Sequence, residues 1–355
     1  MCKRALEESN WDEEEAVVYL RKAGVARASL AANRDAAAGV VAVYRSTDGT
    51  QCTAVVLSCE TDFVQKNPKF VAFSQALAEH CYATLRSSDT GLSDALGSLL
   101  VNQLKSSRAS PTLSSCVQSG STASADSVSE LLADLTTQFG ETVEVKAVVS
   151  LDSNASSCIG VYVHNETTPG AGVGSAAAVV ELSWVPSNGP ATASATLRGR
   201  LSKFARLIAM QVLATSPKFV DLHSIPSSVV EKERAIAEAA AATRTKGAPA
   251  PPPSSAAETK GTPFSKIAEQ RLQRSLEEQC LLSQEFFMVK QLHEDVLRDT
   301  QAEAATDGRG GSCTSTARNQ QQRQLTVADA LQFVGQTLGC SLTVSRMRLI
   351  SLGSQ

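Results

Sequence analysis

The stretch Thr53-Ala54-Val55-Val56-Leu57-Ser58-Cys59-Glu60-Thr61-Asp62-Phe63-Val64-Gln65-Lys66-Asn67-Pro68-Lys69-Phe70 decides the architecture. Thr53–Cys59 is an apolar, partly β-branched run of strand length. Asn67-Pro68 reads as a helix start, because an Asn side chain accepts from first-turn amides and proline fits the first helical position. Phe70, Phe73, Leu77 and Cys81 then recur on one helical face. Between strand and helix stands Glu60-Thr61-Asp62-Phe63-Val64. Taken on its residues alone, Phe63 fills the local core and Asp62 caps the turn.

Toward the N-terminus, Gly39–Arg45 reads as a second strand, joined to the first around the Asp48-Gly49 turn. Ala31 to Ala38 is a small-residue helical connector. Residues 2–24 read as two short helices. The second opens at Asp12 with Glu15 three residues on, carries Ala16, Val17 and Leu20 as its stripe, and stops at Gly24.

Toward the C-terminus, residues 86–127 are rich in Ser and Thr, with only Leu92–Leu104 patterned as a helix. Residues 105–127 are expected to be a low-complexity surface insertion. Val143–Leu151, Cys158–His164 and Ala176–Leu182 are strand candidates, and Leu201–Ala214 is a helix with Phe204, Ile208 and Val212 on one face. Val229–Thr243 and Phe264–Gln284 are charged helices on either side of a Pro-rich segment, which reads as a helical hairpin with a disordered tip at 245–262. Residues 301–324 are polar filler. Thr326 opens a capped helix, and Leu342, Val344, Met347 and Leu349 mark a last strand whose alternation slips after Val344, as a bulge would cause. Strands and helices fall in separate runs, which predicts an α+β fold with antiparallel sheets.

With Lys+Arg 33 and Asp+Glu 36, the formal net charge is −3, so no overall basic field favours nucleic acid. No apolar run reaches the roughly 18 residues of a membrane span. The nine cysteines are odd in number, irregular in spacing and without a CxxC pair, which favours a reducing compartment. Asn154-Ala155-Ser156 and Asn165-Glu166-Thr167 are chance matches to a glycan acceptor, since no signal peptide is expected, and Asp12–Glu15 come too early for a targeting segment. No GxxxxGK[ST] cradle exists. Gly172-Val173-Gly174-Ser175-Ala176-Ala177 matches a dinucleotide pattern but precedes a strand instead of following one, and reads as a flexible turn. The histidines, His80, His164, His223 and His293, lie far apart, with no HExxH and no GxSxG. No catalytic residues, metal ligands or cofactor are expected, and the work of the chain is binding.

Three collinear stretches resemble the elongation factor Ts family. Cys2-Lys3-Arg4-Ala5-Leu6-Glu7-Glu8 running into Ala16–Gly24 is similar to that family's N-terminal ubiquitin-associated-like module. Glu60-Thr61-Asp62-Phe63-Val64 with Asn67 and Phe70 contains its Thr-Asp-Phe-Val signature. Ala214-Thr215-Ser216-Pro217-Lys218-Phe219-Val220 with Val230-Glu231-Lys232-Glu233 resembles its passage into the hairpin, and Ile267-Ala268-Glu269 its return helix. Met1 stands where a helix and a Gly-rich turn are expected, so the module is expected to lack its first helix, and the C-terminal helical module to be reduced.

The resemblance implies this organisation: a truncated helical module at 1–24; a core subdomain at 36–150; a second at 151–225 with 325–355; and an inserted coiled-coil hairpin at 226–300. It implies guanine-nucleotide exchange on elongation factor Tu in its nucleotide-poor state, without direct nucleic acid or membrane contact. The alternative is an adaptor that keeps the fold without exchange. Thr61, Asp62, Phe63 and Val64 would then enter the partner near its Mg²⁺ site, reversing the core reading of Phe63. His164 is a surface residue or an additional contact. The Ala/Ser/Pro-rich insertions suggest a eukaryotic member serving a mitochondrion, with a plastid or a bacterial cytoplasm as alternatives.

Overall fold

A computed structural model describes residues 2–12, 38–86, 97–117, 127–186, 195–245, 263–292, 294 and 325–352. The expected second helix of the N-terminal module (13–24), residues 246–262 of the hairpin tip and the 301–324 filler lie outside them. The fold is α+β with antiparallel strand pairing, in two compact units: Met1–Val179 with Arg348–Gln355, and Val180–Met347.

In the first unit, β1 (Ala38–Arg45), β2 (Gln51–Cys59), β3 (Glu144–Asp152) and β5 (Val173–Gly174) form a sheet of order β3-β2-β1-β5. The predicted hairpin is present: Gly49 adopts φ +68°, and Asp48 accepts from Ser46 Oγ (2.5 Å) and the Thr50 amide (3.1 Å). These bonds hold the Asp48 carboxyl down to about 2. β1 and β2 are continuous apolar runs because both sheet faces are covered. Val40, Ala42, Val55 and Leu57 pack on the helical side, whereas Val41, Ala54 and Val56 pack with Ile159, Ala177, Val179 and Ile350 on the other. The β2–β3 register shifts between Val56 and Leu57, which passes over Lys146 and leaves its ammonium 2.7 Å from Glu144.

After α1 (Cys2–Glu8), the unit's helices are α2 (Asp62–Gln65), α3 (Pro68–Arg86), α4 (Gly97–Ser106), α5 (Pro111–Val117) and α6 (Val128–Phe139). Asn67 Oδ1 accepts from the Lys69 amide at 2.9 Å, the expected cap of α3, and Phe70, Phe73, Leu77 and Cys81 are wholly buried. Of the expected insertion at 105–127, the described residues 105–117 are not simply surface filler. Leu113 and Val117 are buried in the core, and Ser110 Oγ caps α5 through the Leu113 amide at 3.3 Å. Two apolar residues one turn apart suffice to dock a helix this short. Nor is the Gly172–Ala177 run a free turn: Gly172 accepts from the Val43 amide at 2.7 Å, and Val173 and Gly174 pair with β1.

β4 (Ser157–His164), β6 (Ala176–Pro186) and β7 (Cys340–Ser351) form the second sheet, in the order β4-β6-β7. Along β7 the buried positions run Cys340, Leu342, Val344 and then Met347 and Ile350, so the inward alternation shifts after Val344 as the sequence indicated.

In the second unit, α7 (Ala195–Thr215) buries Phe204, Ile208 and Val212, and Phe204 meets Phe286 edge-on at 6.2 Å between centroids. Gln211 is wholly buried and satisfied: Nε2 donates to the Glu285 carbonyl (2.9 Å), and Oε1 accepts from the Phe287 amide (3.2 Å). α8 (Ser227–Thr245) and α9 (Pro263–Gln279) pack together, and Glu233 accepts from Ser275 and Gln279 across the pair. The Ser216–Val220 passage is fixed to the base of α9, where the Lys218 and Phe219 amides donate to the Gln279 carbonyl. A short helix, α10 (Val289–Leu292), follows, and α11 (Val327–Leu338) opens with a Thr326–Asp329 capping box.

Candidate functional site

β2 ends at Cys59 and the chain turns at once into α2, a single helical turn. Successive residues of a helix point about 100° apart, so in one turn few side chains can reach the core. Val64 takes that place, 6 % exposed and packed in the core cluster beneath the sheet. Its neighbour Phe63 is therefore turned outward and is 82 % exposed. That overturns the reading in which Phe63 fills the local core. Asp62 does not cap the turn either. Thr61 occupies the N-cap position without a side-chain cap bond, and the Asp62 carboxylate pairs with Lys66 Nζ at 2.9 Å, one turn on. An aspartate is ionised at neutral pH even at its ordinary value, and the Lys66 bond and charge lower the Asp62 carboxyl further.

The turn is held at its root by bonds that sequence reasoning did not find. Glu141, in the link between α6 and β3, accepts from the Thr61 amide (3.0 Å) and the Thr61 hydroxyl (2.6 Å). Glu60 accepts from the Thr142 amide (3.0 Å) and the Thr142 hydroxyl (2.7 Å). The last paired residues of the β2–β3 ladder are Ser58 and Glu144. Past that point carboxylates replace backbone carbonyls as acceptors. The sequence carries no distinguishing signal, since Glu-Thr occurs at 60–61 and 141–142 but also at 166–167 and 258–259. Cys59 adds a thiol bond to the Thr61 carbonyl (3.3 Å), and burial keeps that thiol protonated, pushed up to about 12.

The four motif residues thus have separate placements: Thr61 anchored, Asp62 charged and exposed, Phe63 in water, Val64 in the core. His164 lies elsewhere in the same unit, exposed at the end of β4. Its Nδ1 is 3.5 Å from Tyr162 Oη, and its carbonyl accepts from the Ser175 amide (2.9 Å). Among the described residues no group of three His, Cys, Asp or Glu could hold a metal ion, and no helix is long and apolar enough to cross a membrane. An exposed aromatic beside an ionised carboxylate on an anchored turn suits insertion into a partner.

Residues 60–306 match the protein family described as Elongation factor TS. The chain is 30% identical over 355 residues to elongation factor Ts of Anaplasma marginale, covering 99% of this chain and 93% of that protein. It is 33% identical over 235 residues to elongation factor Ts of Prosthecochloris aestuarii and 34% over 235 residues to that of Chlorobium limicola. Each of these two alignments covers 66% of this chain and 67% of the relative.

Proposed function

Since the chain belongs to the elongation factor Ts family, we propose that it is the guanine-nucleotide exchange factor of an elongation factor Tu in translation elongation, and that the Thr61–Val64 turn performs the exchange. The observation that carries the loop reading is the 82 % exposure of Phe63 on a turn whose neighbours are bonded or buried. An aromatic presented this way can enter an apolar pocket of the GTPase without reordering the chain that bears it. Asp62, ionised and paired with Lys66, would then stand among the waters and ligands of the nucleotide's Mg²⁺. Displacing that cation removes the charge that offsets the phosphates, and GDP leaves.

No bond of a substrate is made or broken in this scheme. The factor works by a coupling free energy: as it weakens nucleotide binding, nucleotide weakens factor binding by the same ratio. His164, exposed on β4, is proposed as a further contact. The relatives compared are bacterial. A mitochondrial setting rests on the Ala/Ser/Pro-rich composition, and imaging a tagged full-length protein tests it.

Gel filtration with a Tu-type GTPase stripped of nucleotide tests the reading. A complex should form and excess GDP should dissolve it. A complex indifferent to GDP refutes exchange and leaves the adaptor role.

A further inference from the structure

Four hydrogen bonds link two Glu-Thr dipeptides about 80 residues apart, and three carboxylate oxygens accept them: both of Glu141 and one of Glu60. Glu60 holds the amide and hydroxyl of Thr142, and Glu141 holds the amide and hydroxyl of Thr61. The arrangement is reciprocal. It lies where the β2–β3 ladder has run out, and Phe63 begins only three residues beyond Glu60. Charge-assisted bonds of this kind are roughly twice as strong as neutral ones.

We propose that Glu60 and Glu141 are positioning residues for nucleotide exchange, acting through Phe63. The two grips, Glu141 through both carboxylate oxygens and Glu60 through one, fix the direction in which the chain leaves β2. With Val64 anchored in the core on the far side, Phe63 has a fixed outward presentation. The Cys59 thiol bond to the Thr61 carbonyl supports the same turn from below. Nothing else about the clamp requires two acids: a backbone ladder one pair longer would join β2 to β3 equally well. What the clamp adds is a lock on the residue that starts the exposed turn. The inference rests on the exchange reading for its function but not for its geometry, and the test separates the two.

In the isolated full chain, hydrogen–deuterium exchange should find the Thr61 and Thr142 amides protected although both lie outside the ladder. Glu141→Ala should release Thr61, speeding its exchange about tenfold or more, and Glu60→Ala should release Thr142. Glu141→Gln, which keeps one acceptor oxygen, should fall between, and it serves if the alanine variant folds poorly. Unprotected amides in the parent chain overturn the clamp with no partner involved.

The second arm is a double-mutant cycle on GDP release from a Tu-type GTPase. Glu141→Ala should slow release about five- to tenfold in the parent and less than about twofold in the Phe63→Ala background, since a positioning residue has nothing left to position. Equal losses in both backgrounds, or none in either, overturn the positioning role. If the parent chain fails to speed GDP release while its Thr61 and Thr142 amides are protected, exchange activity is refuted and with it the positioning role, whereas the clamp stands.

Discussion

Phe63→Ala separates a side chain that builds the fold from one that meets a partner. In the free chain Phe63 is 82 % exposed, so truncation leaves no cavity and should change stability by no more than about 0.5 kcal/mol. In the complex proposed above, the same side chain would be buried. A Phe offers roughly 200 Å², of which about 160 Å² is still in water here. At about 25 cal/mol per Å² its complete burial would contribute about 4 kcal/mol. Alanine retains part of that surface and interfaces bury aromatics incompletely, so about 2 kcal/mol is the working figure. That corresponds to roughly a thirtyfold slower GDP release at subsaturating factor. The assay is stopped-flow release of a fluorescent GDP from a Tu-type GTPase, with a thermal melt on the same preparations. A melting temperature lowered by several degrees with normal exchange per folded molecule would refute the argument, because it would mean that Phe63 packs inside.

Asp62→Ala should slow exchange at millimolar Mg²⁺, and the defect should shrink when a chelator removes the cation; an equal defect under both conditions refutes the Mg²⁺ role. Gly39→Ala should destabilise the first unit by about 2 kcal/mol or more, since a Cβ there would overlap the Leu57 carbonyl oxygen across the β1–β2 pair; an unchanged melt refutes the close approach. His80 is buried with Nε2 2.9 Å from Ser107 Oγ, and desolvation holds its imidazole below the ordinary 6.5. The folded chain therefore keeps His80 neutral where the unfolded chain takes up a proton. Its contribution is whole above pH 6.5 and declines as pH falls below it. Melts at about pH 7.5 and about pH 5.5 should differ more for the parent than for His80→Gln, and equal slopes overturn the assignment.

Much of this was legible in the sequence because local patterns sufficed. Asn67-Pro68 with Phe70, Phe73, Leu77 and Cys81 states where α3 starts and which face it buries. The Asp48-Gly49 turn states which strands pair. The continuous apolar runs at β1 and β2 signal burial on both faces but not what supplies the second cover, since Ile159, Ala177, Val179 and Ile350 lie far along the chain. α5 was hidden by composition. Its Ser110-Pro111 start is an ordinary cap signal, but only Leu113 and Val117 carry its apolar face amid Ser and Thr. The orientation of Phe63 depends on which residue of α2 wins the single inward position, and the residue types do not settle that. The Glu-Thr clamp joins residues about 80 apart with no periodicity between them.

Magnitudes decide why the turn must be held before it meets a partner. Fixing the backbone of one residue costs about 1–2 kcal/mol. If residues 61–64 were loose in the free chain, ordering four residues on binding would cost about 4–8 kcal/mol. That exceeds the roughly 2 kcal/mol a Phe anchor contributes, so a loose turn would cancel its own wedge. The exchange scheme also limits affinity from above, because the complex has to dissolve when nucleotide returns. A short aromatic contact on a turn already ordered by folding meets both conditions. In the proposed scheme the ordering cost is borne once, by the Glu60 and Glu141 bonds and by Val64 in the core, and the contact itself would stay weak enough to reverse.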